Sequence, residues 1–222
     1  MRIGIIGSGK IGGTVAKLFA KAGHEVALSH ASGPESLRDQ VAALGSRARA
    51  VTVEEAADFG EVVLLAIPWK DHRDLPAARL RGKIVVDAMN PYRPDGGIYD
   101  LGDSTSSEEV AKTLTGARLV KAFNSLYARD LASQGQPDRP VEERTASPLA
   151  GDDQDAKRIV AKLIEEIGFA PVDTGSLRDG GRIQQPGGPL YTRVVSGADA
   201  QRALQRGEEA RKGSPSGTAH HP

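Results

Sequence analysis

A glycine-rich turn near the start of the chain limits the possible folds more than any other feature. Gly7, Gly9 and Gly12 follow the short apolar run Arg2 to Ile6 and lead into a helical pattern of apolar residues. In a dinucleotide-binding turn, the first glycine permits the tight bend, the second lets the backbone approach a pyrophosphate, and the third lets the helix pack on the strand. The spacing therefore predicts a strand, a turn and a helix that bind a dinucleotide.

The segments that follow the turn predict the rest of the sheet. A second strand, His24 to Leu28, comes after Gly23 and completes a βαβ unit. Nearly continuous apolar runs at 62–67 and 83–89 are typical of parallel strands that helices cover on both faces. The predicted fold class is α/β, a Rossmann-type doubly wound parallel sheet with a small C-terminal α/β lobe.

The distribution of proline and charge predicts where the chain divides. Residues 133–147 contain Pro137, Pro140 and many charged side chains, which is typical of an exposed connection. We therefore expect a dinucleotide-binding domain at 1–132 and a small C-terminal lobe at 148–206. The polar end of the chain, 207–222, is predicted to be a flexible tail.

Composition excludes several function classes. The chain has 29 basic and 29 acidic residues without a basic stripe, so we expect no nucleic-acid partner. It has no cysteine, and its five histidines show no metal-ligand spacing, so we expect no metal site. No apolar run is long enough to span a membrane, and we expect a cytoplasmic protein without a membrane partner. Redox chemistry in such a chain needs an organic cofactor.

The end of the second strand predicts which nicotinamide cofactor binds. An NAD-type site places Asp or Glu there, against the ribose 2′-hydroxyl. In this chain the four residues at that position are neutral or able to become cationic, which suits a 2′-phosphate and favours NADP(H). They are Ser29, His30, Ala31 and Ser32. Because the usual arginine is missing, the alternative is an ordinary polar turn.

Three predicted strands end in residues that would meet at the carboxyl edge of the sheet, where ligands bind in open α/β folds. The candidate contacts with the nicotinamide half are Ile67, Pro68, Trp69, Asn90 and Asn124. The alternative for Trp69 is loop packing, and asparagine after a strand is also ordinary turn chemistry.

The sequence does not indicate a catalytic residue. It contains no Tyr-x-x-x-Lys pair, nucleophile elbow or zinc-protease helix. Lys121 and Asn124 are three positions apart, so in a strand they would face opposite sides and could not act on one substrate. Hydride transfer between two organic cofactors needs no general acid or base, so the catalytic residues stay unassigned.

Six short segments together match the pattern of one known family. They are Met1 to Gly9, Gly23 to Val26, Ile67 to Trp69, Ser106 to Glu108, Ala150 to Asp153, and Pro186 to Tyr191. On these segments the chain resembles the NADPH:coenzyme F-420 oxidoreductases, also called F420-dependent NADP reductases, over about residues 1–195. The cytosolic domain of the transmembrane ferric reductases is a more distant relative.

This resemblance implies reversible hydride transfer between NADP(H) and the deazaflavin ring of coenzyme F-420 (F420), its second substrate, in a homodimer. It places Lys10 and Ile11 in the pyrophosphate loop, His30 and Ala31 at the 2′-phosphate, and Ala128 near the cofactor. The complete set of predicted cofactor contacts is Gly7, Ser8, Gly9, Lys10, Ile11, Gly12, Ser29, His30, Ala31, Ser32, Ile67, Pro68, Trp69, Asn90, Asn124 and Ala128.

Three other functions stay open at this point. The first is an NADP(H)-binding sensor without turnover. The second is a reductase of flavin or of a ferric chelate. The third is a dehydrogenase that acts on an imine or a keto acid, which would need a proton donor that the sequence does not reveal.

Overall fold

The structure, a computed structural model, describes residues 1–213, and its strands form one eight-stranded sheet. In chain order the strands are β1 (Arg2–Ile6), β2 (Glu25–Ser29), β3 (Ala48–Val51), β4 (Val62–Leu65), β5 (Ile84–Asp87), β6 (Arg118–Ala122), β7 (Ala146–Gly151) and β8 (Ala170–Asp173). The order across the sheet is β3-β2-β1-β4-β5-β6-β7-β8.

The first six strands are parallel, and the chain reverses its direction across the sheet between β1 and β4. A doubly wound sheet of this order binds its ligand at that reversal, outside the carboxyl ends of the strands. The predicted Rossmann-type α/β fold is therefore confirmed.

Helices connect the strands and cover both faces of the sheet. They are α1 (Lys10–Lys21), α2 (Arg38–Leu44), α3 (Val53–Phe59), α4 (Ala77–Leu80), α5 (Ser106–Thr113), α6 (Ala128–Ser133), α7 (Gln154–Glu166), α8 (Asp179–Gln184) and α9 (Gly197–Gly213). Because side chains alternate along a strand, Leu64 packs in the core that contains α1 and α7, whereas Val63 packs in the core that contains α3 and α5.

The C-terminal part of the chain extends the same sheet. Strand β7 pairs antiparallel to β6, and β8 then pairs parallel to β7. The predicted parts 1–132 and 148–206 thus share one continuous sheet, and their division into two domains stays a prediction. Helix α9 continues through Gly213, into the stretch that we expected to be a flexible tail; residues 214–222 lie outside the described part.

Within residues 1–213, no helix is both long and apolar enough to cross a bilayer.

Candidate functional site

The three glycines of the first turn each meet a different requirement. Gly7 has a φ of +106°, and a Cβ there would lie 2.4 Å from the carbonyl oxygen of Ala66. A Cβ on Gly12 would lie only 1.9 Å from the carbonyl oxygen of Gly7, so α1 packs directly on the turn. A Cβ on Gly9 would meet nothing within 4 Å. Gly9 thus borders open space, which is where a pyrophosphate lies in this type of turn.

The N-terminus of α1 fits an anion. Gly9 is its N-cap and supplies no side-chain acceptor, so the first backbone N–H groups of the helix lack a capping partner. These groups and the helix dipole together favour a negatively charged ligand. The amide of Gln40 donates to the carbonyl oxygen of Ser8 at 3.1 Å and so fixes the turn from the side of α2.

Two cavities follow the carboxyl edge of the sheet and meet at Ala66, Ile67 and Pro68, so they form one cleft. The first cavity, of about 390 Å³, is bordered by predicted contacts from the glycine turn and from the turn after β2, namely Gly7, Ser8, Gly9, His30 and Ala31. The second cavity, of about 570 Å³, is bordered by Lys10, Ile11, Trp69 and Asn90. Most of the predicted contacts therefore border this cleft, with Gly9 and Lys10 at the junction of its two halves.

Charge is divided unequally between the two cavities. Among described residues, the first cavity is lined by Asp71 and Asp74 and by no lysine or arginine. The second cavity is lined by Lys10, Lys70 and Arg93 and by no carboxylate. Lys10 makes no ion pair within residues 1–213, so its positive charge is available to a ligand.

The turn after β2 borders the first cavity with the ring of His30 and the methyl group of Ala31. The backbone N–H of Ser32 donates to Nδ1 of His30 at 3.1 Å, so the proton of the neutral ring lies on Nε2. Ser29 is fully buried, and its hydroxyl donates to the carbonyl oxygen of Ile5 at 3.0 Å. The Ser29 side chain is thus engaged inside the sheet, because β2 runs one residue further than the sequence pattern indicated.

Trp69 forms part of the wall of the second cavity but is largely enclosed. Its indole N–H donates to the carbonyl oxygen of Ser106 at 3.1 Å, and its ring lies against His72 and Tyr99. The ring therefore connects the loop after β4 to the start of α5 and presents only a small surface to the cleft.

Asn90 and Asn124 bind each other instead of pointing into open space. The Asn124 amide donates to Oδ1 of Asn90 at 3.0 Å, and the Asn90 amide donates to the Asn124 carbonyl oxygen at 2.9 Å. The pair joins the loops that follow β5 and β6. Ala128, at the first turn of α6, borders neither cavity.

A buried ion pair that sequence reasoning missed lies below this edge of the sheet. The Lys121 ammonium, fully buried, lies 3.2 Å from Oδ2 of Asp87 and donates to the Met89 carbonyl oxygen at 2.6 Å and to the Ser106 hydroxyl at 3.1 Å. The Ser107 hydroxyl donates to Asp87 at 2.5 Å. Burial lowers the pKa of Lys121, and the Asp87 carboxylate opposes that effect. Two opposite charges at paired positions of neighbouring apolar strands were the available signal.

Two tyrosines were also missed. Tyr92 lines the second cavity, and its hydroxyl lies 2.8 Å from the hydroxyl of Tyr191. Burial raises the pKa of Tyr191 above its ordinary value, and the hydrogen bond with Tyr92 adds to the shift. The two residues are far apart in the sequence, so no local pattern connects them.

Comparison with known proteins places this site in a family. The model of the family "NADP oxidoreductase coenzyme F420-dependent" matches residues 2–91, which contain the glycine turn and the first five strands. A curated relative, the metalloreductase STEAP3 of Rattus norvegicus, is 26% identical over 185 residues, which are 82% of this chain and 36% of the relative. The chain thus spans about a third of the length of that relative.

Two solved structures are similar to most of the chain. A hypothetical protein of Sinorhizobium meliloti is 37% identical with a TM-score of 0.80, over 88% of this chain and 95% of that one. A protein of Arthrobacter sp. FB24, provisionally described as an F420-dependent NADP reductase, is 22% identical with a TM-score of 0.73, over 88% and 99%. The chain belongs to the family of coenzyme F420-dependent NADP oxidoreductases.

Proposed function

We propose that this protein transfers hydride between NADP(H), bound along the cleft, and a deazaflavin such as F420. The observation that carries the proposal is the unfilled space next to Gly9. This space lies where the two cavities meet, beside the N-terminus of α1, which has no side-chain cap. Family membership supports NADP(H) as one partner in the reaction. When bound, NADPH supplies the hydride.

In this proposal the two cavities hold the two halves of the nucleotide. The backbone N–H groups that follow Gly9 bind the pyrophosphate, and Lys10 adds positive charge there. Nε2–H of His30 donates to the 2′-phosphate from the edge of the first cavity. The nicotinamide half lies in the second cavity, where apolar walls from Ile11 and Met89 exclude water around the reacting atoms.

Gly9→Ala tests the nucleotide site without disturbing the fold. The added methyl group meets no protein atom within 4 Å and Gly9 has a φ of −66°, so the fold should be kept, and the poorer N-cap should cost about 1 kcal/mol or less. Because the methyl group enters the space of the pyrophosphate, the Kd for NADPH should rise about tenfold, or ~1.4 kcal/mol. Fluorescence titration with NADPH measures the Kd.

Gly207→Ala on α9 is the matched control, because a Cβ there also meets no atom within 4 Å. Equal NADPH affinity in the two variants would contradict the assignment of the pyrophosphate site.

The acceptor is tested by oxidation of NADPH, and separately of NADH, with F420, FAD, FMN and a ferric chelate. We expect turnover with NADPH and the deazaflavin. The similarity to a metalloreductase favours one second candidate, a reductase of flavin or of a ferric chelate, which turnover with those acceptors alone would establish. Binding of NADPH without turnover on any acceptor would instead indicate a sensor. We further propose a cytoplasmic homodimer, which sedimentation of the purified protein tests for its subunit number.

A further inference from the structure

The Tyr92 and Tyr191 hydroxyls end a hydrogen-bonded chain that runs from the core to the second cavity. We propose that Tyr92 donates a hydrogen bond, and then a proton, to the hydride acceptor in this cavity. The acceptor class follows from that role: an organic ring whose reduction takes up a hydride and a proton together. This inference rests on the proposed function and deepens it, because it concerns the acceptor side of the same cleft.

Two backbone carbonyl groups set the orientations of the two amides at the inner end of the chain. The Asn124 side-chain atom 2.8 Å from the Gln184 carbonyl oxygen must be its NH2 group, since a carbonyl oxygen only accepts. That group also donates to Oδ1 of Asn90. The other side-chain atom of Asn90 lies 2.9 Å from the Asn124 carbonyl oxygen and is therefore also an NH2 group. The amide orientations of both residues are thus determined.

The same Asn90 NH2 group lies 3.5 Å from the Tyr191 hydroxyl oxygen, at the long end of hydrogen-bond distances. Tyr191 accepts there, and in the proposed direction it donates its own proton to the Tyr92 oxygen, 2.8 Å away. Tyr92 then has its hydroxyl proton left for a partner in the cavity. Hydrogen bonds aligned in one direction polarise each other, so this arrangement strengthens Tyr92 as a donor.

Backbone contacts hold the two tyrosines together. Thr192 follows Tyr191 with a φ of 55°, and its N–H donates to the Ser125 carbonyl oxygen at 2.7 Å. On the other side of Tyr191, the buried Leu190 donates its N–H to the Ile183 carbonyl oxygen at 3.0 Å. Tyr92 is held by its own N–H, which donates to the Asn90 carbonyl oxygen at 2.7 Å. The backbone that carries the two hydroxyls is therefore held in place without a ligand, which favours a preorganised donor site.

The step balances in atoms and electrons. The dihydronicotinamide gives a hydride to a ring carbon of the acceptor, and the Tyr92 hydroxyl gives a proton to a ring nitrogen, so a new C–H and a new N–H bond form. Tyr92 is 42% exposed and regains its proton from solvent. Tyr191, whose pKa burial raises, keeps its proton and acts as a positioning residue.

Tyr92→Phe tests the role, because it removes the hydroxyl at a half-exposed position and leaves the ring. With F420 we expect kcat to fall about a hundredfold, the lower end of what a general acid contributes. The Kd of the oxidised deazaflavin, measured by quenching of its fluorescence, should rise about tenfold because one hydrogen bond is lost. The Tm and the Kd for NADPH should not change. Tyr191→Phe should give a smaller loss of kcat, about tenfold.

Tyr127→Phe is the control for loss of a tyrosine hydroxyl near Tyr191, since Tyr127 is 51% exposed and is not among the residues that line the two cavities. Tyr92→Phe protein that matches this control in kcat and in deazaflavin affinity would overturn the inference and leave the proposed function intact. Wild-type protein that binds NADPH but reduces no acceptor would overturn the proposed function, and the inference with it. The two failures are therefore distinguishable.

Discussion

Asp87→Ala should lower the free energy of unfolding by about 3–5 kcal/mol, because it leaves the fully buried Lys121 ammonium without its counter-charge. The Ser107 hydroxyl and the Met89 N–H, which both bind Asp87, would lose their acceptor as well. Urea denaturation followed by circular dichroism measures the change. A loss below about 1 kcal/mol would contradict the assignment of a tightly buried ion pair.

The pH dependence of this variant supplies a second measurement. Burial already lowers the pKa of Lys121 below its ordinary 10.5, and loss of Asp87 should lower it further. Between that lowered pKa and 10.5 the unfolded chain binds a proton that the folded chain does not, so stability rises with pH through this window. Asp87→Ala should thus regain stability at high pH. The double variant Asp87→Leu with Lys121→Met removes both charges. It should regain part of the stability that Asp87→Ala loses, and it should do so at every pH.

Gly12→Ala should destabilise the protein by about 3 kcal/mol, since its methyl group would lie 1.9 Å from the Gly7 carbonyl oxygen and 3.2 Å from Cβ of Ala66. Neither neighbour can move away easily, because one is backbone and the other lies at the end of β4. For a chain of this size the Tm should fall by roughly 6–12 °C. Differential scanning calorimetry measures it.

Gly12→Ala and Gly9→Ala form a matched pair with opposite expected profiles. The first methyl group meets the protein and should cost stability; the second borders the cleft and should cost NADPH affinity. A Gly12→Ala protein with the wild-type Tm would show that α1 moves away from the turn without cost, which would contradict the close packing described here.

The local parts of the fold were predictable from sequence because their signals are local. The glycine spacing at Gly7 to Gly12 predicts the first turn, and the apolar runs predict β4 and β5. The structure contains all three elements. Lys121 and Asn124 show the limit of local signals. Opposite facing of the two side chains requires one uninterrupted strand, but β6 ends at Ala122 and Phe123 has a φ of 61°, so the alternation of side chains stops between the two residues.

The side-chain contacts at the second cavity could not be predicted from local sequence patterns, because they join residues that are far apart in the chain. Asn90 and Asn124 each follow a strand, and a position after a strand does not indicate that the two side chains bind each other. Tyr191 and Tyr92 are 99 residues apart in the sequence, and their hydroxyls meet because the loop after α8 lies against the loop after β5. Such pairs depend on how distant segments pack, and periodicity carries no information about that.

The continuous sheet also has a consequence for solubility. Without β7, the largely buried strand β6 would present unpaired backbone groups at its open edge, a template for association with other chains. The sheet instead ends at β8, where Pro171 lacks an N–H group and cannot extend the ladder. We therefore expect a chain cut after residue 132 to aggregate, because its last strand would have lost the segment that protects it.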